Sequence, residues 1–166
     1  MTGLLILCGA VGFFLLEFNN PETMGDMNLL EKMTASLFQS VTTRTAGFAT
    51  VPQGDLRESS KLLGCMLMFI GGSPAGTAGG VKTTTIAMLL LTVLCVLKNK
   101  RDTECFARKI DNYIVRSGIT ITMITLIFLM SGITALTIFE PGIDFLDLTY
   151  EAASAMGTVG LTADLT

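Results

Sequence analysis

Two short runs in this 166-residue chain carry residue types that could hold a dehydrated monovalent cation: Thr45-Ala46-Gly47 and, 113 residues later, Thr158-Val159-Gly160. Glycine lets backbone carbonyls turn toward an axis without a Cβ clash. Several such carbonyls can replace the hydration shell of an ion. Each run follows a short amphipathic segment, and a helix C-terminus carries partial negative charge that favours a cation. A lone Thr-x-Gly also arises at an ordinary helix stop; two at matching places favour the cation chemistry. A third run, Gly71-Gly72-Ser73-Pro74-Ala75-Gly76-Thr77-Ala78-Gly79-Gly80, holds five glycines and a proline in ten residues and is followed by Lys82. Such a run cannot sustain a helix.

Other chemistry is poorly served. There is no histidine, which removes the usual base and metal ligand. Cys8, Cys65, Cys95 and Cys105 form no CxxC pair, so zinc and dithiol redox sites are disfavoured. Three of them lie in apolar runs and read as small hydrophobes. Cys105 lies in a basic loop and is expected to stay reduced.

The elements that must position these runs are apolar. Half of the chain is hydrophobic and 15% is charged, against about 25% in soluble domains. This balance excludes a disordered chain and a basic nucleic-acid binder. Thr2 to Leu16 is uncharged and lacks the basic start of a signal peptide. At about 1.5 Å per residue it falls short of a ~30 Å hydrocarbon core, so the first helix reads as cut at its start. Ser117 to Phe139 is a 23-residue uncharged span and reads as a transmembrane helix. Leu62 to Leu97 runs 36 residues with Lys82 as its one charge. As a single helix it would be about 54 Å long, so the glycine run divides it into half-helices near 62–70 and 81–97. Irregular backbone at membrane depth must line a cavity or be packed in protein.

Met27–Val41 and Ile143–Met156 are short amphipathic helices, with Asp26 and Asp144 as expected N-caps. The chain is therefore a repeat: apolar helix, Pro-acid turn, short helix, Thr-x-Gly, apolar helix. The second copy lacks its last helix, and the sequence reads as a fragment. The loop Lys98–Arg116 carries six basic and three acidic residues, which places it on the cytoplasmic side. The Thr-x-Gly runs and the remaining eleven acids then face outward. Those acids either concentrate cations at a mouth or simply cap helices and solvate loops.

The stretches Ser40–Phe48, Phe69–Thr85 and Ser154–Thr162 resemble the Trk/Ktr family of potassium uptake proteins, and the resemblance covers essentially the whole chain. It implies an all-α membrane protein in which four helix–pore-loop–helix repeats surround one pore. Residues 1–97 would be the third repeat, 98–111 a cytoplasmic basic loop, and 112–166 an incomplete fourth repeat. By the same resemblance Thr45, Ala46, Gly47, Thr158, Val159 and Gly160 line half of a filter binding K⁺ at backbone carbonyls. Gly71, Gly72, Ser73, Gly76, Thr77, Gly79, Gly80 and Lys82 would form an intramembrane gate. The family further implies a plasma-membrane homodimer embedded in lipid, a cytoplasmic ring of nucleotide-binding regulatory subunits, no nucleic acid, no catalytic residues and no cofactor besides the transported K⁺, with Na⁺ left open. Leu161-Thr162 departs from the Tyr-Gly of tetrameric potassium channels, so ion preference rests on the resemblance.

Single residues leave alternatives. Lys82 is either part of a barrier or a lysine snorkelling to the interface. Arg44 is expected behind the filter, paired with an outer-face acid and bracing the loop, or else solvated at the mouth. Two rival functions share some features. A broken-helix carrier accounts for the glycine run but not for the paired Thr-x-Gly loops. A phosphate-binding P-loop needs Gly immediately before Lys, whereas Val81 precedes Lys82.

Overall fold

A computed structural model describes residues 1–73, 78–98, 104, 105 and 108–163, with the backbone alone for 104, 105, 108 and 109. Gly76 and Thr77 of the expected gate, and part of the 98–111 loop, lie outside the described residues. Among the described residues six helices follow one another: α1 Thr2–Glu17, α2 Leu29–Thr42, α3 Glu58–Phe69, α4 Thr83–Leu97, α5 Asn112–Phe139 and α6 Phe145–Gly157. Between α4 and α5 the basic loop folds back on itself as a minimal antiparallel ladder, β1 Glu104–Cys105 with β2 Arg108–Lys109. Among the described residues the other regular elements are all helices.

α5 has 28 residues, about 42 Å of helix, and is long and apolar enough to cross a bilayer. Asp111 caps it by accepting the Tyr113 N–H at 3.1 Å. α1 and α4 are apolar but shorter. The long apolar stretch is divided as its glycines require. α3 ends at Phe69, and α4 restarts at Thr83 with Lys82 as its N-cap.

Asp144 occupies the N-cap of α6, as expected, but Asp26 does not cap α2. Residues 20–27 form successive turns, in which Gly25 N–H reaches Asn20 O at 2.6 Å and Met27 N–H reaches Met24 O at 3.1 Å. The helix therefore starts two residues later than Asp26 would allow, with Asn28 at the cap. The Glu31 carboxylate accepts the Asn28 N–H at 2.8 Å, the acidic half of a capping box.

α2 is inside out by the standards of a water-soluble protein. Ser36, Gln39, Ser40 and Thr43 fall at i, i+3, i+4 and i+7 and are buried, whereas Leu29, Leu30, Met33 and Leu37 are exposed. Ser40 Oγ donates to the Ile6 carbonyl at 2.8 Å and ties α2 to α1. The core lies between α3 and α6, where Cys65, Met68, Tyr150, Ala153, Val159, Leu161 and Ala163 pack together. A part-buried ion pair, Lys61 with Asp147, fastens the same two helices. Large apolar side chains on α1, α4 and α5, among them Leu7, Leu15, Val96, Ile127 and Phe128, stay exposed. In water each would forgo about 1.5–3 kcal/mol of burial, so lipid or further protein is the natural cover.

Among the described residues, the acids outside the 98–116 loop divide into two groups. Glu17 is wholly buried. It accepts from Asn20 Nδ2 at 2.6 Å, Thr23 Oγ1 at 2.6 Å and the Arg57 N–H at 3.0 Å. Asp147 pairs with Lys61, and Glu151 accepts from Thr162 Oγ1 and the Ala163 N–H. Glu22, Asp26, Glu31, Asp55, Glu58, Glu140 and Asp144 are exposed. Glu17, Asp147 and Glu151 are thus tied into the interior, Glu31 and Asp144 stand at helix N-termini, and the exposed acids of this group outnumber its exposed bases.

Candidate functional site

Both Thr-x-Gly runs leave a short helix and adopt the same unusual backbone. Thr45 and Gly47 have φ of 67° and 73°; their counterparts Thr158 and Gly160 have 53° and 86°. Thr45 and Thr158 are the two non-glycine residues with positive φ among the described residues. Left-handed backbone costs an L-residue about 1–2 kcal/mol, and strain of this kind gathers at functional loops.

Local bonding holds each loop in place. The Thr42 hydroxyl donates to the Phe48 carbonyl at 2.6 Å and accepts the Phe48 N–H at 2.9 Å. The N–H groups of Ala46 and Gly47 turn back to the Thr42 carbonyl at 3.2 and 3.4 Å. One residue thus closes the 43–48 loop from both ends. In the second copy Thr158 N–H bonds Ala155 O at 3.1 Å and Val159 N–H bonds Ser154 O at 2.9 Å. This is the bonding of a Schellman helix end, with threonine where glycine is usual. The Val159 side chain is anchored in the core beside Leu161, while Thr158 and Gly160 are exposed.

The loops meet. A Cβ built on Gly47 would overlap the Val159 carbonyl oxygen, and its next neighbours are the Val159 carbonyl carbon at 3.3 Å and the Gly160 Cα at 3.6 Å. The carbonyl oxygens of residues 45–47 and 158–160 accept no hydrogen bond from the described residues. Buried or half-buried carbonyls are normally paired. Thr45, Gly47 and Val159 are buried or half-buried, and free carbonyls beside two helix C-termini have the chemistry to accept a cation.

The glycine-rich segment lies against the second loop. Its limbs are joined where the Val81 N–H bonds Phe69 O at 3.0 Å and the Thr83 N–H bonds Gly72 O at 3.4 Å. The Gly79 N–H donates to Thr158 Oγ1 at 3.0 Å. A Cβ at Gly79 would stand 2.7 Å from that hydroxyl and 2.8 Å from Gly157 O. Gly71, Gly72 and Ser73 form one limb, and Gly79 and Gly80 the other. Lys82 Nζ folds back to the Ala78 carbonyl at 2.5 Å, which stiffens the end of the segment. Arg44 is half-buried and its three guanidinium nitrogens are shielded from solvent without a hydrogen-bond partner. It pairs with no acid among the described residues.

Sequence reasoning passed over Gln39, Gln53, Tyr150 and Thr42. The first three form a buried cluster that links the two halves of the chain. The buried polar stripe of α2 was available as a signal, because Ser36, Gln39, Ser40 and Thr43 keep helical spacing on a helix whose other face is apolar. Gln53 lies in an irregular loop and carries no such mark.

Comparison with known proteins gives the family. Residues 3–163 match the TrkH family, described as cation transport proteins. The chain is 40% identical to Ktr system potassium uptake protein B of Bacillus subtilis, matching all of this chain and 38% of that protein. It is 34% identical to Ktr system potassium uptake protein D of the same organism, over 99% of this chain and 36% of the relative. Identity is also 34% to the potassium/sodium uptake protein NtpJ of Enterococcus hirae, over all of this chain and 37% of NtpJ. The chain therefore spans less than two-fifths of the length of these relatives.

Proposed function

Because this chain belongs to the TrkH family, whose members are membrane transporters and not enzymes, we propose that the full-length protein carries potassium into the cell down its electrochemical gradient. On this reading the carbonyls of Thr45, Ala46, Gly47, Thr158, Val159 and Gly160 form half of a selectivity filter, and two further loops complete it. The observation that carries the reading is the meeting of two loops with matching left-handed backbone and unpaired carbonyls. A dehydrated K⁺ needs several such oxygens at once, and neither loop alone supplies them.

The remaining assignments follow from that centre. Residues 1–97 and 112–166 are successive helix–pore-loop–helix units, the second incomplete, and 98–111 is a cytoplasmic loop. The filter loops face outward, below the exposed acids that raise local cation concentration. The segment containing Gly71, Gly72, Ser73, Gly76, Thr77, Gly79, Gly80 and Lys82 is the gate on the cytoplasmic side of the filter. Arg44 braces the first loop, and its unpaired guanidinium calls for an acceptor elsewhere in the full-length protein, since an uncompensated buried charge is costly. The protein works as a plasma-membrane homodimer in lipid, regulated by a cytoplasmic ring of nucleotide-binding subunits. No cofactor is needed. K⁺ is the favoured ion, and the potassium/sodium name of one relative keeps Na⁺ as the competitor to measure.

The test is ion flux through the full-length protein in liposomes under K⁺ and Na⁺ gradients. Ion current that prefers K⁺, that collapses on Gly47→Ala and loses its ion preference on Gly160→Ala, is expected. Saturable transport of an organic solute without current would instead establish a broken-helix carrier.

A further inference from the structure

We propose that Gln39, Gln53 and Tyr150 act as a positioning brace that sets the separation of the two Thr-x-Gly loops and thereby the discrimination between K⁺ and Na⁺. The proposal rests on the filter reading above and adds residues that line no part of the filter.

The three side chains come from three places. Gln39 is on α2, one turn before its end; Gln53 lies on the chain returning from the first loop; Tyr150 is on α6, two turns before the second loop. All three are buried, with Gln53 the most exposed at 3%. Gln39 and Gln53 form a reciprocal amide pair. Gln39 Nε2 donates to Gln53 Oε1, and Gln53 Nε2 donates to Gln39 Oε1 at 3.3 Å. Gln53 Nε2 also donates to the Val51 carbonyl at 2.7 Å, and its Oε1 accepts the Tyr150 hydroxyl at 2.8 Å. Both donors and both acceptor sites of the Gln53 amide are thus used. A fully satisfied buried network is rigid and geometrically specific, and losing one member strands the others.

Tyr150 is itself held. α3 leaves room for its ring at Gly64, where a Cβ would approach Cε2 to 3.0 Å, and Cys65 and Met68 pack in the same cluster. The ring cannot swing away, so its hydroxyl presents a fixed point to Gln53. Gln53 passes that point to Gln39 and hence to the end of α2. The two short helices that launch the loops are therefore spaced by one chain of hydrogen bonds spanning 97 residues of sequence between Gln53 and Tyr150. Discrimination between ions of different radius depends on where the carbonyls stand, so a slackened brace acts on selectivity before it acts on passage.

The experiment uses the full-length protein in liposomes and measures the K⁺/Na⁺ permeability ratio together with absolute K⁺ flux. Tyr150→Phe keeps the ring and removes the bond. The ratio is expected to fall roughly two- to tenfold, the range a single buried hydrogen bond carries, with K⁺ flux retained. Gln53→Met is expected to lower it similarly. The double variant should be no worse than the more affected single one, since both cut the same link. If Tyr150→Phe fails to reach the membrane, Gln39→Asn, one methylene shorter with its amide intact, decides the matter in the same direction. An unchanged ratio with intact K⁺ flux, or additive losses in the double variant, overturns the brace. Absence of any K⁺-selective flux in the unmodified protein overturns the filter reading instead.

Discussion

Gly47 and Val159, separated by 112 positions in sequence, touch so closely that no β-carbon fits between the Gly47 backbone and the Val159 carbonyl oxygen. This contact brings the two Thr-x-Gly loops to one place. It also makes glycine obligatory at 47 on two counts, the space and the φ of 73°. Gly160 differs: its φ is 86°, but nothing lies within 4 Å of a β-carbon there.

The two glycines should therefore respond differently. Gly47→Ala is expected to lower the thermal stability of the full-length protein and abolish uptake. Gly160→Ala should cost only the backbone strain of about 1–2 kcal/mol while still disturbing ion preference. Melting temperature and K⁺ uptake, measured on both variants, check this. Equal stability for the two would contradict the close contact.

Thr42 closes the first loop through two hydrogen bonds to Phe48. Thr42→Val keeps the shape and removes both, leaving the Phe48 amide unpaired, at an expected cost of about 1–3 kcal/mol. Thr42→Ser retains the hydroxyl and should behave almost as the unmodified protein. Denaturation of the purified protein in detergent, with uptake measured in parallel, separates the two outcomes.

The Lys61–Asp147 pair joins α3 to α6, with side-chain exposures of 9% and 21%. Partial solvent access to Asp147 moderates the fully buried case of about 3–5 kcal/mol. We expect Asp147→Asn or Lys61→Met to lose about 1–3 kcal/mol. The double variant Lys61→Met/Asp147→Leu should recover part of that loss, because no charge is then stranded. A double variant worse than both singles would show that the pair contributes net stability of its own.

The glycine-rich segment is expected to restrict flux. Deleting residues 73–79 should raise cation leak in the full-length protein and weaken its regulation. Thr158→Val removes the acceptor of the Gly79 N–H and should shift flux in the same direction by a smaller factor. Flux and regulation unchanged in the deletion would remove the gate from the scheme.

Element type and order were legible without coordinates, because they depend on local chemistry. An uncharged run becomes the long α5, glycines and a proline interrupt the second apolar stretch, and Pro-acid turns precede the short helices. The N-cap of α2 was misplaced by two residues, since the turns around Asn20 form through bonds that no spacing rule reveals. The recurrence of Thr-x-Gly at 45–47 and 158–160 marked both loops, but their contact was not contained in either motif. It depends on α3 and α6 packing through Tyr150, Cys65 and Met68, and on Gln53 reaching across to the Tyr150 hydroxyl. Arg44 shows the same limit: its charge was visible, and its lack of a partner within the described residues emerged only on folding. By itself the sequence determined which segments are apolar, where helices must break, and which carbonyls could be left free. Tertiary structure alone decided that the two loops meet, because hydrogen bonds and contacts between residues a hundred positions apart have no periodicity to betray them.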